Sequence, residues 1–195
     1  MTTVATRAVG GPESLNRSAA EGDGMAKQGT FLVTHVDDDS AVLKDTADGQ
    51  VHTLATNPSL DASAGSVGDE SADGETLAAG DAIEATIAPE PPLEVAWELR
   101  EVESRRSLTV GRSSEPPTTQ EREIAAEQDE GDLTRRERAG VGEIHVLTVP
   151  PGEVENAVAD VLDDEATLVR AADLGVERVE VRSDDDGVVS VRYMP

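Results

Sequence analysis

Two runs of three aspartates stand out, Asp37–Asp39 in "HVDDDSAV" and Asp184–Asp186 in "RSDDDGVV". Adjacent carboxylates can hold a hard cation or act as an acid and base pair. The spacing argues against both. In an extended segment neighbouring side chains point to opposite faces, so three in a row do not converge on one ion. A calcium loop alternates its ligands as D-x-D-x-D-G and adds a distant glutamate, and neither run has that form. Aspartate favours turns because its side chain accepts from backbone two residues on. Both runs lie between apolar stretches, where a hairpin must reverse. They are expected to be solvated turns.

The three histidines, His35, His52 and His145, each stand alone in an alternating, strand-like stretch. No H-x-H or H-E-x-x-H occurs, so no zinc signature is present. His35 and His52 would be neighbours if their strands met across a barrel, with Asp37–Asp39 close by. More plainly, all three are ordinary strand histidines. No G-x-S-x-G, P-loop or G-x-G-x-x-G appears. "GVGE" at Gly140–Glu143 is too short to cradle a phosphate and reads as a helix stop. The remaining chemistry belongs to arginine. Arg105 and Arg106 end a long strand pattern, and Arg135, Arg136 and Arg138 cluster on a segment that looks helical. Arg178, Arg182 and Arg192 lie near the end of the chain. Arg105, Arg106, Arg135, Arg136 and Arg138 are the candidate partner-binding residues. The competing reading pairs such arginines within the molecule, as Arg178 and Arg182 would pair with Glu177 and Glu180. No catalytic, cofactor-binding or metal-ligating residues are assigned, and no cofactor is expected.

These residues need elements to hold them. Residues 1–28 are rich in Gly, Ser, Ala and Thr, lack any period, and read as a disordered tail. Met25 directly precedes the first strand pattern and is a candidate for the true start. Strand patterns follow in "GTFLVTHV", "SAVLKD" and "QVHTLAT", with "ADGQ" as an Asp-Gly hairpin signal. Residues 59–79 form an acidic, low-complexity stretch, expected to be a mobile insertion with nothing to bury. "DAIEATIA" alternates cleanly. "LEVAWELREV" places Leu93, Val95, Trp97 and Leu99 on one face and then slips phase, which predicts a bulge near Arg100–Glu101. Bulges bend strands. Five strands with a late bulged one predict a small OB-like or SH3-like barrel over 29–110, the alternative being an open five-stranded sheet.

Residues 111–142 read as a linker with two short helices. The first opens at a capping box, Thr118 with Glu121, runs through "QEREIAAEQ" and stops by Gly131. The second repeats the box at Thr134 and Glu137 and stops at Gly140. Residues 143–195 read β-α-α-β-β. Val154, Val158, Val161 and Leu162 form a helical stripe, and Gly175 caps the next helix. Val179, Val181, Val189, Val191 and Tyr193 face inward on a closing hairpin around the second aspartate run. The fold class is therefore α+β, a small barrel followed by a small α+β domain.

Asp+Glu 41 against Lys+Arg 16 gives a formal charge of -25, while aromatics are only 2% of the chain. Periodic apolar blocks argue for a folded protein in spite of that charge. In low salt the carboxylates would repel one another. At molar salt the Debye length shrinks to about 3 Å and the repulsion is screened. The composition is that expected of a salty cytoplasm. With no cysteine, disulfides, thiolate metal sites and a cysteine nucleophile are excluded. No apolar run approaches the length of a membrane span, and the first residues lack the apolar core of a signal peptide. A cytoplasmic protein without a membrane partner is expected.

The stretches "GTFLVTHVDDDSAVL", "APEPPLEVAWELREVESRRSL", "PPTTQ" and "GEIHVLTVP" resemble a haloarchaeal family of conserved hypothetical proteins of unknown function. The resemblance runs from Gly29 to Pro195 outside the acidic stretch at 61–79 and supports a start near Met25. It implies no activity and carries over no functional residue. On these grounds the chain is expected to be a non-catalytic binding or regulatory module, with a protein partner or a second copy of itself as the occupant. Two alternatives stand beside this. One is an OB-like nucleic-acid-associated protein, disfavoured by the scarcity of aromatic platforms and by the loss of phosphate contacts in salt. The other is an enzyme whose site forms between the domains around His35, His52 or His145.

Overall fold

The computed structural model describes residues 26–60, 75–93 and 95–195. Expectations for residues 1–25 and 61–74 lie outside the described residues.

Alternation of small and large apolar residues builds the first half. Strands β1 (Lys27–Val36), β2 (Ala41–Asp45), β3 (Val51–Leu54), β6 (Asp81–Pro89) and β7 (Trp97–Ser107) close a barrel in the order β1-β2-β3-β7-β6. All neighbours are antiparallel except β3 and β7, which meet in parallel at Leu54 and Trp97. A meander of three strands closed by a parallel contact to the fifth is the OB arrangement, which decides between the two barrels foreseen. The interior is filled by Phe31, Leu43, Leu54, Ile83, Ile87 and Leu99 and their smaller neighbours. Strand β7 bends at two bulges. Arg100 is extra between Leu99 and Glu101, as the phase slip predicted, and Glu103 is extra between Val102 and Ser104.

Three expectations for this half are corrected. Strand β1 starts at Lys27, so the proposed tail does not reach residue 28. Leu93 and Val95 do not face inward; they lie on the exposed Glu90–Ala96 loop, and the strand starts at Trp97. Pro91 and Pro92 supply no backbone N–H for a ladder, which confines that segment to a loop. The ends of the 59–79 stretch are also structured. Strand β4 (Ser59–Leu60) pairs with β5 (Glu75–Thr76), and Leu77 is fully buried in the barrel core. Asn57 fixes Leu77 from both sides: its Nδ2 donates to the Leu77 carbonyl at 3.1 Å, and its Oδ1 accepts from the Leu77 N–H at 3.2 Å.

The second half is a five-stranded sheet with helices on both faces. Its order is β8-β11-β12-β10-β9, from β8 (Thr109–Arg112), β9 (Leu133–Glu137), β10 (Glu143–Thr148), β11 (Arg178–Ser183) and β12 (Val188–Met194). Helices α2 (Val154–Asp163) and α3 (Glu165–Leu174) cover Val179, Val181, Val189 and Val191. Helix α1 (Thr119–Ala126) packs Ala125 on Val146 and Val188 of the other face. The capping box at Thr118 and Glu121 forms as expected. So does the left-handed cap at Gly175, whose φ is 70°.

The segment read as a linker contributes two strands to this sheet. The helix expected from Thr134 to Gly140 is instead strand β9, and Arg135 and Arg136 sit on that strand. The reason is physical. "DLTRRERA" has no apolar stripe to bury as a helix, whereas β10 has an open edge that needs pairing. "GVGE" is accordingly a hairpin turn and does not stop a helix. Gly142 has φ 102°, and a Cβ there would fall 2.2 Å from the Tyr193 carbonyl oxygen, so only glycine allows this approach. Helix α1 ends at Ala126, short of Gln128.

The two halves touch. Helix α3 packs on β1, Lys44 Nζ meets Glu165 Oε1 at 2.6 Å, and Arg106 donates to the Ala172 carbonyl at 3.4 Å.

Candidate functional site

Strand β10 alternates. Ile144 and Val146 face α1, while Glu143, His145 and Leu147 face α2 and α3. His145 stands opposite Val191 of β12 and opposite Arg135 of β9. On α3, Thr167, Arg170 and Asp173 are three apart and share a helix face. Together with Val161, Val169, Tyr193 and Thr46 of the barrel they enclose a pocket of about 430 Å³ at the seam between the two halves.

Charge in the pocket is arranged as a chain of partners. Arg170 grips Glu143 with two bonds, Nε to Oε1 at 2.7 Å and Nη2 to Oε2 at 2.9 Å. Its third nitrogen, Nη1, reaches Asp173 at 2.7 Å. His145 Nε2 lies 2.6 Å from the same Glu143 Oε1. The Arg170 guanidinium, aided by His145, holds the Glu143 carboxyl down to about 2 against the opposing effect of burial. Glu143 is therefore ionised and can only accept. Burial pushes the His145 imidazole below its ordinary value, so at neutral pH the ring is neutral. Its single N–H must then sit on Nε2, pointing at the carboxylate, and Nδ1 is left as a lone-pair acceptor. The ring packs on Tyr193 with centroids 4.9 Å apart. Burial pushes the Tyr193 hydroxyl upward, so it stays protonated.

Arg135 is the exception. Its neighbours Glu143 and Asp173 already serve Arg170, and among the described residues Arg135 has no carboxylate partner. The pocket thus presents one exposed guanidinium, one imidazole acceptor, an apolar floor and, at its edge, the Asp164 carboxylate that caps α3.

The remaining residues singled out in the sequence scatter. His35 and His52 do not meet, because β2 runs between their strands. His35 is exposed beside Asp37 at 3.2 Å. His52 is buried against Trp97, centroids 4.4 Å apart, and Phe31, and burial pushes its pKa down. Of the three histidines, His145 is the one at the seam. Arg105 is held by Asp81 through Nη2 at 2.8 Å, and Arg106 is turned to Glu84 and Ala172. The five candidate arginines therefore do not make one patch. Arg135 faces the pocket, Arg136 faces the α1 side, and Arg138 donates to the Tyr193 carbonyl at 3.4 Å. Arg178 and Arg182 do not pair with Glu177. Arg182 meets Glu180 and Glu115.

Both aspartate runs are turns, Asp37–Asp39 between β1 and β2 and Asp184–Asp186 between β11 and β12. Asp184 accepts from the Asp186 N–H at 3.1 Å and from the Val188 N–H at 3.3 Å, and also pairs with Arg122 of α1 at 2.9 Å. Among the described residues no three His, Asp or Glu side chains are grouped to hold a metal ion.

Arg170, Glu143 and Tyr193 were missed in the sequence. Glu143 and His145 were findable, since an E-x-H in an alternating strand puts both side chains on one face. Arg170 reaches them only through tertiary packing, and no local signal marks it. No curated protein and no solved structure matches the chain. One family model does, over residues 27–183, and it spans the barrel, the seam and most of the second sheet: the chain belongs to DUF5812, a family of unknown function.

Proposed function

We propose that this protein is a non-catalytic binding module of a salty cytoplasm, taking a small organic anion at the seam between barrel and sheet. The observation that carries this reading is Arg135 at the rim of the pocket, which has no carboxylate partner among the described residues, while Arg170 is already held by Glu143 and Asp173. A carboxylate or phosphate would meet Arg135, a donor group would meet His145 Nδ1, and an apolar body would lie on Val161, Val169 and Val191. Such a ligand leaves the Glu143–Arg170 pair intact and gives Arg135 a direct counter-charge. Oligonucleotides fit less well. An OB barrel usually offers its β2–β3 face with the loops after its first and fourth strands, and here the first of these loops carries Asp37, Asp38 and Asp39.

The test is a titration with benzoate, phenyl phosphate and the neutral benzamide, followed by the Arg135 and His145 side-chain resonances. The two anions should give saturable shifts and raise the thermal midpoint, and benzamide should not. Arg135→Gln should remove the response, as should Ala166→Trp, which blocks the rim from an exposed helix position. No saturable shift with either anion, or an undiminished one in Arg135→Gln, overturns the proposal. A second reading rests on the Glu143–His145 pair, which could serve as a general base on a bound substrate. Turnover that is lost in His145→Gln while binding persists would select it.

A further inference from the structure

The edge of the second sheet carries a further observation, one that shares Arg135 with the pocket but turns on open backbone groups. Among the described residues strand β9 pairs with β10 alone and is the last strand of its sheet. The bonds from Thr148 N–H to the Asp132 carbonyl at 3.2 Å and from Arg138 N–H to the Gly142 carbonyl at 3.1 Å set the phase of the ladder. Even-numbered residues of β9 therefore bond inward to β10, and the N–H and C=O of Leu133, Arg135 and Glu137 point out from the sheet. This is a free template for one more strand.

Two adjacent side chains on that edge are basic, ahead of the exposed Glu137. Arg135 and Arg136 are exposed, and with Arg138 they have no carboxylate partner among the described residues. Most other arginines find acids, among them Arg105 on Asp81, Arg112 on Glu155, Arg170 on Glu143 and Arg182 on Glu115; Arg178 instead reaches Met194 Sδ. In a chain with Asp+Glu 41 against Lys+Arg 16, two neighbouring arginines left over on an edge strand, with Arg138 just beyond its end, mark a surface matched to an acidic partner. Because the strand alternates, Arg135 offers its charge on the pocket face and Arg136 on the α1 face. A matching strand would need adjacent carboxylates, one for each face.

We infer that β9 is a docking edge for an extended acidic segment of another protein, added as a sixth strand through the backbone of Leu133, Arg135 and Glu137 and held in register by Arg135 and Arg136. A second copy of this chain fits poorly. The fullest antiparallel self-pairing, centred on Arg135, sets Arg135 against its own copy, and like charges directly opposed are unfavourable.

The probe is a short labelled peptide of valine and threonine around a central pair of glutamates, with the lysine-pair peptide as its counterpart, measured by fluorescence anisotropy across a KCl series. The glutamate peptide should bind and the lysine peptide should not. Arg136→Glu, remote from the pocket, should weaken binding about three- to tenfold, the scale of an exposed ion pair reversed in sign. Glu137→Pro removes an outward N–H while sparing the inner ladder, and it also removes a negative charge from the edge. Loss of binding in that variant, with circular dichroism unchanged, isolates the backbone contribution. Equal binding of both peptides, no binding of either, or full binding by Glu137→Pro overturns the inference. So does sedimentation showing that the chain dimerises through this edge. So does tight binding of a single-stranded oligonucleotide that survives Glu137→Pro. Ala166→Trp, which blocks the pocket, should leave peptide binding unchanged, so failure of the pocket proposal and failure of this one are separable.

Discussion

Glu143 ties strand β10 to helix α3 beside the pocket. It is almost fully buried, yet it accepts from Arg170 twice and from His145 once. A buried carboxylate so satisfied is stabilising, and removing it strands its partners. Glu143→Gln should cost on the order of 2–3 kcal/mol, because the amide cannot accept the bidentate guanidinium. The pH dependence has a definite sign. The folded value is depressed from 4.5 to about 2, so the unfolded chain takes up the proton first as pH falls. The contribution is complete above the ordinary carboxylate range and is lost progressively as pH drops from about 4.5 towards about 2. His145 is depressed as well, by burial, so a first decline should begin just below its ordinary value of 6.5, and stability again falls with falling pH. Thermal midpoints of wild type and Glu143→Gln, measured in molar KCl, should differ most at neutral pH and converge towards pH 2. A gap that stays constant through the acid range would show that the ion pair contributes nothing. At this scale the sequence was half legible. Glu143 and His145 sit on a patterned strand, but the segment of Arg135 reads as a helix and is in fact strand β9, and Arg170 is brought to them by α3 packing, which nothing local announces.

Among the elements, the β9–β10 hairpin decides where the site residues stand, and its turn gives a sharp test. Gly140 and Gly142 both have positive φ, 95° and 102°, but only Gly142 is crowded: a Cβ added there would lie 2.2 Å from the Tyr193 oxygen, whereas Gly140 has open space around it. Alanine at Gly140 should cost about 1 kcal/mol from the backbone conformation alone. Alanine at Gly142 should cost at least about 3 kcal/mol, since the hairpin must also move off β12. It should disturb the His145 ring resonances as well. Equal midpoints for the two variants would mean that the close approach is not what glycine is needed for. The same hairpin shows why the elements were only partly readable. Thr118 with Glu121 and Thr134 with Glu137 are the same local signal. The first opens a helix because Ile124 and Ala125 give it a face to bury. The second lacks such a face and is captured by the open edge of β10. Likewise the barrel strands announce themselves by alternation, and the Arg100 bulge by a phase slip. The pairing of β8 with β11 is non-local and parallel, and a four-residue strand of that kind leaves no local mark.

For the whole molecule the governing quantity is charge against a modest core. The barrel interior rests on one phenylalanine and a handful of leucines and isoleucines, and the second sheet is packed mostly by valine and alanine. Such cores leave a small margin, since folded domains are stable by only about 5–15 kcal/mol after conformational entropy is counted. Against this stands a formal charge of -25, far more carboxylates than the described ion pairs can neutralise. Unscreened, that excess works against compaction. At molar salt it is confined to contacts within about 3 Å, which is also the range at which the Arg170–Glu143 and Lys44–Glu165 pairs act. The expected outcome is a folded chain in about 3 M KCl and progressive loss of structure on dialysis to about 0.05 M, where repulsion reaches beyond 10 Å. The first contacts to go should be those between the halves, because α3 packs on β1 and is tied to the barrel by polar links from Lys44 of β2 and Arg106 of β7, and neither half depends on the other for its own sheet. Circular dichroism would follow the sheets, and the His145 and Tyr193 resonances would follow the seam. KCl and sodium sulfate compared at equal ionic strength separate the causes. Screening predicts equal recovery in the two, whereas strengthened apolar burial predicts an advantage for sulfate. Spectra unchanged down to low salt would show that the core alone outweighs the charge.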